Sequence, residues 1–437
     1  MFLARRFYIV LAAIAFILAS GVFIPALFGV GKGLLVLLAV ALAADVVVLW
    51  SLPKVVADRI CSERFSLGDD NEVTLRLTNR SSLPLRLMII DELPVQLQER
   101  HFSLKTTVEA GSISDVTYRV RPTMRGVYEF GHVLVYAATS LGLVERRHRC
   151  GEPCDVKVYP SYLMLRRLEL MAATDNLMEM GVKKVRQIGH NTEFEQIRDY
   201  VQGDDYRTIN WKASARRTHL MVNVYQDERA QQVFSVIDKG RLMQQSHGGM
   251  TLLDHAINAS LVLSYVVVNR QDKAGIITFA DHFGSFVPAE RHSSQMQRIL
   301  ECLYGEQTTF GDSDYSILTP NINRLVGKRS CMMLYTNFTD FGCLSRQLPY
   351  LKLLNQRHRL LVIFFEDDDL SAYVATTADG GEEYYQHVIA EKLIYERRLI
   401  VNTLRQNGIL SLLTSPKSLS VDVINKYLEM KSRHLLA

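Results

Sequence analysis

Two long apolar stretches open the chain, and short alternating segments follow them. Residues 7–28 carry no charged side chain, and residues 34–50 carry only Asp45. A helix needs about 20 apolar residues to cross the hydrocarbon core of a bilayer, so both stretches are candidates. The glycine-rich link at residues 29–33 suits a tight turn between them. The pattern therefore predicts a transmembrane helical hairpin over residues 1–52.

Basic residues flank both ends of the predicted hairpin. Arg5 and Arg6 precede it, and Lys54 and Arg59 follow it. The positive-inside rule then places both ends in the cytoplasm. A cleaved signal peptide ending near residues 19–21 is the alternative, but a second apolar stretch follows at once and argues against cleavage. Asp45, the acid within the second apolar stretch, lies near the cytoplasmic end of the predicted hairpin. We therefore expect its side chain to snorkel to the membrane surface.

Period-two alternation dominates residues 53–160. Residues 73–78 alternate between apolar and polar side chains, and polar residues 79–82 supply a turn. Several short strands without a convincing helix predict an immunoglobulin-like β-sandwich. Cys150 and Cys154 could suggest zinc, but no second Cys or His pair stands at ligand spacing. We interpret them as two ordinary thiols in a turn.

The C-terminal part of the chain alternates short buried runs with segments of helical spacing. Such alternation predicts an α/β domain with a doubly wound parallel sheet at residues 231–437, and ligands bind such sheets beyond the carboxyl ends of the strands. Residues 161–230 are interpreted as a linker that contains a motif-rich segment. The predicted strands are residues 233–237, 274–279, 330–335, 360–365 and 409–414.

Composition excludes several classes of function. In 437 residues, 50 Lys and Arg stand against 46 Asp and Glu, for a formal net charge of +4. That balance is too even to indicate a nucleic-acid binder. The six Cys are scattered, which favours a reducing compartment over a disulfide framework. Nucleic-acid binding would have to use the basic residues Lys183, Lys184, Arg186, Arg216 and Arg217, and the flanking acids count against it.

The densest motif lies between residues 193 and 216. It mixes acidic and basic side chains, which indicates ion pairs and helix caps rather than a phosphate-binding strip. One interpretation is that the Gly-Asp-Asp turn at 203–205 caps the next helix while Trp211 packs beneath it. The alternative is an exposed recognition element for a partner protein, formed by Asp204, Asp205, Arg207 and Arg216. The whole set of candidate residues is Arg198, Tyr200, Gly203, Asp204, Asp205, Arg207, Trp211, Ala215 and Arg216.

This segment resembles the signature of a bacterial family known as domain of unknown function fifty-eight. Asp199 stands where the family usually has Glu. Arg-Gly-x-Tyr at residues 125–128 and Leu-Gly-Leu at residues 141–143 resemble the upstream pattern of the family. The resemblance implies a membrane anchor, a C-terminal domain related to von Willebrand factor type A, and an association with MoxR-type AAA+ ATPases.

The resemblance also implies where a metal site would lie. Type A domains usually bind Mg²⁺ through an Asp-x-Ser-x-Ser loop, a Thr and a later Asp, because hard cations take oxygen ligands. Here Gly240 and Leu242 replace the two serines, an Asn replaces the later Asp, and Lys239 and Arg241 add positive charge. We therefore expect a degenerate, metal-free site, with Mg²⁺ as the disfavoured alternative. The candidate positions are Asp238, Thr308 or Thr309, Asn337 and Asp340.

The sequence contains neither a phosphate-binding Gly-rich loop nor a known hydrolase motif. We therefore predict a non-enzymatic interaction protein without a cofactor. It is anchored in the bacterial inner membrane with its soluble domains in the cytoplasm. It would dock to a MoxR-type AAA+ ATPase and assist the assembly or remodelling of membrane or envelope complexes. The alternative is a metal-dependent hydrolase that uses Asp204, Asp205 and Asp238. The acidic run at residues 366–369 is interpreted as a solvated loop, with a cation site as the minor alternative.

Overall fold

The structure of the chain is a computed structural model, and it forms two compact units, Met1–Tyr159 and Pro160–Ala437. The predicted boundaries at residues 52, 160 and 230 stay predictions. The residues that the structure describes are 1–21, 23–99, 102–164, 193–202, 204, 206–217, 219–226, 230–292, 294–308, 310–376, 380–433 and 435–436.

Two helices stand near the start of the first unit, α1 at Arg5–Ser20 and α2 at Pro25–Ser51. The expected turn at residues 29–33 is wrong, because these glycines lie inside α2. Gly31 is packed against Leu18 of α1, and a Cβ atom at residue 31 would collide with that side chain. The glycine therefore permits close packing of two helices, which is a common use of small residues between apolar helices.

Helix α2 is the strongest candidate for a membrane span. Its 27 residues measure about 40 Å, which exceeds the hydrocarbon thickness of about 30 Å. By length and composition, Ala26–Ser51 could cross a membrane, and so could Leu252–Asn269. The latter helix is mostly buried in the second unit, as the core helix of a folded domain is. Helix α1 has only 16 residues. An apolar helix of spanning length near the N-terminus is thus present, while two crossings and a cytoplasmic orientation stay predictions.

The remainder of the first unit consists of β-strands, as predicted. Burial alternates along these strands, so that Val73, Leu75 and Leu77 point into the core while their neighbours face outward. Three sheets form, with strand orders β1-β10-β9-β5-β6, β3-β11-β8 and β2-β4-β7. The strands are β1 Phe2–Leu3, β2 Val56–Cys61, β3 Arg64–Ser66, β4 Asn71–Thr78, β5 Leu85–Asp91, β6 Leu104–Val108, β7 Ile113–Val120, β8 Gly126–Phe130, β9 Val133–Ala138, β10 Val144–Cys150 and β11 Cys154–Tyr159.

Asp45 connects α2 to the sheet that contains β9 and β10. Its buried carboxylate accepts hydrogen bonds from the Leu143 amide at 3.0 Å, the Val144 amide at 3.1 Å and the Thr139 hydroxyl. The expectation that this side chain snorkels to the membrane surface is therefore wrong. The loop that carries Leu-Gly-Leu at residues 141–143 binds the carboxylate, so this motif has a structural role.

A second buried acid, Asp91, pairs with Arg59. The Arg59 Nε atom donates at 3.1 Å, and the Tyr118 hydroxyl donates to the same carboxylate. The guanidinium also donates to the Gly131 carbonyl at 3.0 Å. Only 2% of the Arg59 side chain and none of the Asp91 side chain are exposed. Arg59 therefore belongs to the β-structure and does not act as a flanking charge of the helices.

The second unit contains a six-stranded sheet with the order β18-β17-β14-β19-β20-β21. The five strands predicted from the sequence lie parallel, and β18 adds an antiparallel edge that the sequence pattern did not reveal. The elements of this unit are β12 Glu193–Asp199, α3 Trp211–Arg217, β13 Met221–Gln226, β14 Gln232–Asp238, β15 Ser246–His247, β16 Met250–Thr251, α4 Leu252–Asn269, β17 Lys273–Phe279, β18 Phe283–Glu290, α5 Gln295–Tyr304, α6 Tyr315–Leu325, β19 Cys331–Tyr335, α7 Phe341–Arg357, β20 Arg359–Phe365, α8 Asp368–Val374, α9 Gly381–Gln406, β21 Leu410–Thr414 and α10 Leu419–Ser432.

Helices cover both faces of this sheet. Helices α4, α5 and α10 pack on one face around Ile257 and Val262, and α6, α7 and α9 pack on the other around Leu318 and Leu351. Strand β14 lies between β17, which follows it in the chain, and β19, which comes later. The winding direction changes at β14, so its carboxyl end is the place where such folds bind ligands.

Candidate functional site

A polar cavity of about 130 Å³ lies at the carboxyl end of β14. It occupies the position that the winding of the sheet predicts for a ligand site. The cavity is lined by Asp238, Arg241, Leu242, Asp312, Ser313, Tyr315, Thr336, Asn337, Phe338, Thr339, Cys343, Arg346 and Gln347.

Asp238 is the central acid of the cavity. Its side chain is buried and accepts hydrogen bonds from the Gly240 amide at 2.8 Å, the Thr336 hydroxyl at 2.7 Å and the Ser313 hydroxyl. Burial raises the pKa of Asp238, and the three hydrogen bonds offset part of that rise because they stabilise the carboxylate. A buried, fully bonded acid of this kind organises the loops around it.

The hydroxyl of Ser313 takes the space that a side chain at residue 240 would occupy. A Cβ atom built on Gly240 would collide with Ser313 Oγ and would stand 3.1 Å from Asp238 Oδ1. The serine that the resemblance to type A domains implies at this position is absent, and a hydroxyl from a different loop fills the space. Sequence reasoning missed Ser313, because 75 residues separate it from Asp238.

One more hydroxyl, that of Tyr315, extends the network on the Thr336 side of Asp238. The Tyr315 hydroxyl and the Thr336 hydroxyl are 2.8 Å apart, and both side chains are buried. Burial and the nearby Asp238 carboxylate raise the pKa of Tyr315 well above its ordinary value, so it stays a neutral phenol. Thr336 could have been identified from the sequence, because it follows a predicted strand directly.

The two basic residues beside Asp238 are paired with acids. The Lys239 ammonium lies 2.8 Å from the Glu306 carboxylate, and both side chains are largely buried. Arg241 pairs with Asp312 at 2.7 Å on the surface. Their charges are therefore compensated locally, and the expected repulsion of a cation by these residues is smaller than the sequence indicates.

The remaining metal candidates are placed differently. Asn337 lines the cavity, where its Nδ2 atom donates to Gln245 at 3.1 Å and its buried Oδ1 atom has no hydrogen-bond partner. Asp340 caps α7 by accepting from the Cys343 amide at 2.8 Å, which helps lower the pKa of Asp340. Thr308 is not among the described residues that line the cavity, and Thr309 lies outside the described residues.

The cavity supplies oxygen atoms but only one well-placed negative charge. Asp238, Ser313, Thr336 and Asn337 offer one carboxylate, two hydroxyls and one amide carbonyl. Sites for Mg²⁺ normally combine carboxylates with water in octahedral geometry. Both oxygens of Asp238 already accept hydrogen bonds, so an ion would have to displace them. The donor set fits Mg²⁺ poorly, and the prediction of a metal-free cavity stays a prediction.

The motif-rich segment forms an antiparallel hairpin of β12 and β13 that carries α3 between the strands. Asn210 precedes α3, and its Oδ1 atom accepts from the Ala213 amide at 2.9 Å. Asp204 instead accepts from Arg198 at 2.7 Å and from the Val201 amide at 3.0 Å. The expected capping of this helix by the Gly-Asp-Asp turn is therefore wrong for Asp204. Gly203 and Asp205 lie outside the described residues.

Several aromatic and basic side chains of this hairpin are exposed, whereas Met221 and Val222 of β13 are buried. Trp211 is 69% exposed and Tyr206 is 68% exposed, so the expectation that Trp211 packs beneath the helix is wrong. No residue of α3 is buried. We call the exposed set the signature surface, and its members are Tyr206, Arg207, Trp211, Lys212, Ala215, Arg216 and Arg217. Tyr200 is half-buried and donates its amide to the Leu220 carbonyl at 2.8 Å.

The second unit is thus an α/β domain with a polar cavity at its switch point and a hairpin that carries exposed aromatic and basic residues. Residues 196–371, which include the cavity and most of the hairpin, match the family model described as Protein of unknown function DUF58. This part of the chain belongs to that family, as the signature predicts.

One curated relative is similar to part of the chain. The uncharacterized protein YeaD of Bacillus subtilis (strain 168) is 27% identical over 180 residues, which are 39% of this chain and 44% of YeaD. The chain therefore spans less than half the length of this relative.

Solved structures are similar to parts of the chain. The CARDB domain of the PF1109 protein from Pyrococcus furiosus is 12% identical, and the match covers 25% of this chain and 90% of that one with a TM-score of 0.20. A PapD-like domain of human CEP192 is 13% identical, with 24% and 86% coverage and a TM-score of 0.18. Proximal thread matrix protein 1 from the mussel byssus is 14% identical, with 46% coverage of each chain and a TM-score of 0.30.

Proposed function

We propose that this chain is a membrane-anchored, non-catalytic interaction protein. Helix α2 would provide the anchor, the β-rich part an immunoglobulin-like spacer, and the α/β domain a von Willebrand factor type A-like binding scaffold. The partner would be a MoxR-type AAA+ ATPase, in the assembly or remodelling of membrane or envelope complexes. The single observation that carries the proposal is the exposure of the signature surface.

The chemistry of the signature surface suits a protein interface. Exposed apolar side chains that form a patch rimmed by polar residues can indicate a protein interaction site, whereas single ones are common. Trp, Tyr and Arg dominate the binding energy of protein interfaces, because they combine apolar area with directional hydrogen bonds. Trp211 and Tyr206 provide the apolar area, and the guanidinium of Arg207 lies 5.7 Å from the Tyr206 ring.

The charges of this surface indicate the kind of patch that it would contact. Lys212, Arg216 and Arg217 are exposed on α3. Basic side chains beside an aromatic anchor favour an acidic patch on the partner and accelerate association at low salt. We therefore expect binding to weaken as the salt concentration rises.

The test is affinity isolation of the full chain from detergent-solubilised membranes in the presence of ATP. We expect an AAA+ ATPase to be retained by the native chain. Trp211→Ala should lower this retention at least tenfold, since it removes the aromatic anchor. Tyr384→Ala is the matched control, because Tyr384 is 64% exposed on α9 and lies outside the signature surface. It should leave retention unchanged.

Two results would contradict the proposal. Equal retention by the native chain and Trp211→Ala would remove the signature surface from the interface. Metal-dependent hydrolysis of a substrate that is abolished by Asp238→Asn would favour the alternative of a hydrolase. Circular dichroism of each variant should match the native chain, so that loss of binding is not loss of folding.

A further inference from the structure

A second cluster of polar side chains lies beyond the end of β20, separate from the cavity around Asp238. It consists of His247, Asp367 and Asp369, and one ligand atom from each lies within 4.8 Å of the other two. None of the three is among the described residues that line the cavity. The cluster therefore needs its own explanation.

A short hairpin delivers the histidine. Strands β15 and β16 are joined by Gly248 and Gly249, whose φ angles of +60° and +86° favour glycine. The His247 carbonyl accepts from His255 Nε2 of α4 at 3.2 Å, and the two rings are 6.2 Å apart. The imidazole of His247 is thereby held against a core helix.

The end of β20 delivers the two acids. The Glu366 amide donates to the Thr414 carbonyl of β21 at 2.9 Å, which fixes the chain where the strand ends. Asp367 Oδ1 accepts from the amides of Asp369 at 3.1 Å and Leu370 at 3.2 Å. These bonds orient the carboxylate of Asp367 and leave its Oδ2 atom outside them.

One ring nitrogen of His247 lacks a hydrogen-bond partner among the described residues. His247 Nε2 is buried and makes no hydrogen bond in the described structure. A buried polar atom without a partner costs about 1 to 3 kcal/mol, and a bound ion or water is one explanation for it. Coordination of an ion by this nitrogen would supply the missing interaction.

The donor set selects the class of ion. Mg²⁺ and Ca²⁺ prefer all-oxygen sites, whereas an imidazole with carboxylates suits first-row transition metals. Two carboxylates would also balance the charge of a divalent ion. Arg397 and Arg398 line a small pocket together with Glu366 and Asp367, and the Arg397 guanidinium donates to the Phe365 carbonyl. We propose that His247, Asp367 and Asp369 bind a divalent first-row transition-metal ion such as Mn²⁺ or Zn²⁺.

The test titrates Mn²⁺ alone into the full chain, purified in detergent after chelator treatment, and follows the free ion by electron paramagnetic resonance. Mn²⁺ is preferred as the probe because the six free cysteines would compete for Zn²⁺. We expect one saturable site. Zn²⁺ should displace Mn²⁺ at a lower concentration than Mg²⁺ does, since affinities for such donors follow the Irving–Williams order.

Variants assign the site. His247→Ala and Asp369→Asn should each weaken Mn²⁺ binding at least tenfold. His282→Ala is the matched control, because His282 is exposed beside Asp281 in a His–Asp pair of 2.7 Å. It should stay within twofold of the native chain. If His247→Ala does not fold, the exposed position of Asp369 allows Asp369→Asn to decide alone.

Two outcomes would overturn the inference. One is Mn²⁺ binding that neither variant changes, or no saturable binding at all. The other is binding that Asp238→Asn abolishes and Asp369→Asn does not, which would assign the ion to the cavity. Neither outcome depends on capture of an ATPase, so this inference and the proposed function can fail separately.

Discussion

The two units differ in how completely their buried polar groups are hydrogen-bonded. In the first unit, Asp45 accepts three hydrogen bonds and Asp91 is paired with Arg59 and Tyr118. In the second unit, Asn337 Oδ1 and His247 Nε2 are buried without a partner. Every unpartnered buried side-chain atom found among the described residues belongs to the second unit.

The difference in hydrogen bonding distinguishes buried polar groups that stabilise the fold from those that are candidate binding sites. A buried polar group that is fully bonded adds specificity to the fold and has no capacity left for a ligand. A group with an open position can take a ligand or respond to protonation. We expect mutations in the first unit to change stability, and mutations at the open groups of the second unit to change binding or pH dependence.

The largest effect is expected at Asp45. Asp45→Ala leaves two backbone amides and the Thr139 hydroxyl without their acceptor, at a local cost of about 3 kcal/mol. Hydrogen exchange of the Leu143 and Val144 amides in the full chain should accelerate roughly a hundredfold. The amide of Val135 in β9 serves as an internal control. Unchanged exchange at Leu143 would show that the carboxylate does not hold this loop.

The next effect is expected at His358 and depends on pH. Burial lowers the pKa of His358 to about 4, with help from the neighbouring charges of Arg357 and Arg329. Because the folded pKa lies below the ordinary value of 6.5, the neutral ring contributes stability above pH 6.5 that is lost as the pH falls toward 4.

Hydrogen exchange of the second unit at pH 7 and at pH 4.5 measures this effect. Between pH 7 and pH 4.5, the free energy of unfolding should fall by about 2 kcal/mol more in the native chain than in His358→Gln, because glutamine does not titrate. His282→Gln is the control, since that ring is exposed. An equal loss in the native chain and in His358→Gln would assign the acid sensitivity to other groups.

A smaller effect of the opposite sign is expected at Asp238. Its folded pKa is raised by burial, so the protonated form contributes stability at low pH that is lost as the pH rises through that pKa. The stability difference between the native chain and Asp238→Asn should therefore shrink from pH 4 to pH 7. A difference that grows over this range would mean that the three hydrogen bonds outweigh burial.

The periodicity of hydrophobic residues predicted which strands and helices form better than it predicted where they end and what they contact. The five parallel strands follow from buried β-branched runs, and Asp238 follows from its place after the first of them. The antiparallel strand β18 was missed, because residues 283–290 mix Gly, Ser and Pro with aromatic side chains. The turn at residues 29–33 was wrong, because glycine serves close packing as well as turns.

The sites depend on contacts between distant positions, which a single sequence does not contain. His247 is 120 residues from Asp367, and nothing near either residue indicates the other. The exposure of Trp211 also contradicts the usual behaviour of tryptophan, which is highly buried on average. Such exceptions are expected at functional positions, where local rules are broken.

Gly240 and Ser313 compete for one volume beside Asp238. A hydroxyl can reach this acid from either position, but a side chain at residue 240 would force Ser313 Oγ away from Asp238. Gly240→Ser should therefore cost less stability when residue 313 is glycine. Related chains would then exchange the two residues as a pair, and the hydroxyl would persist while its position in the sequence changes.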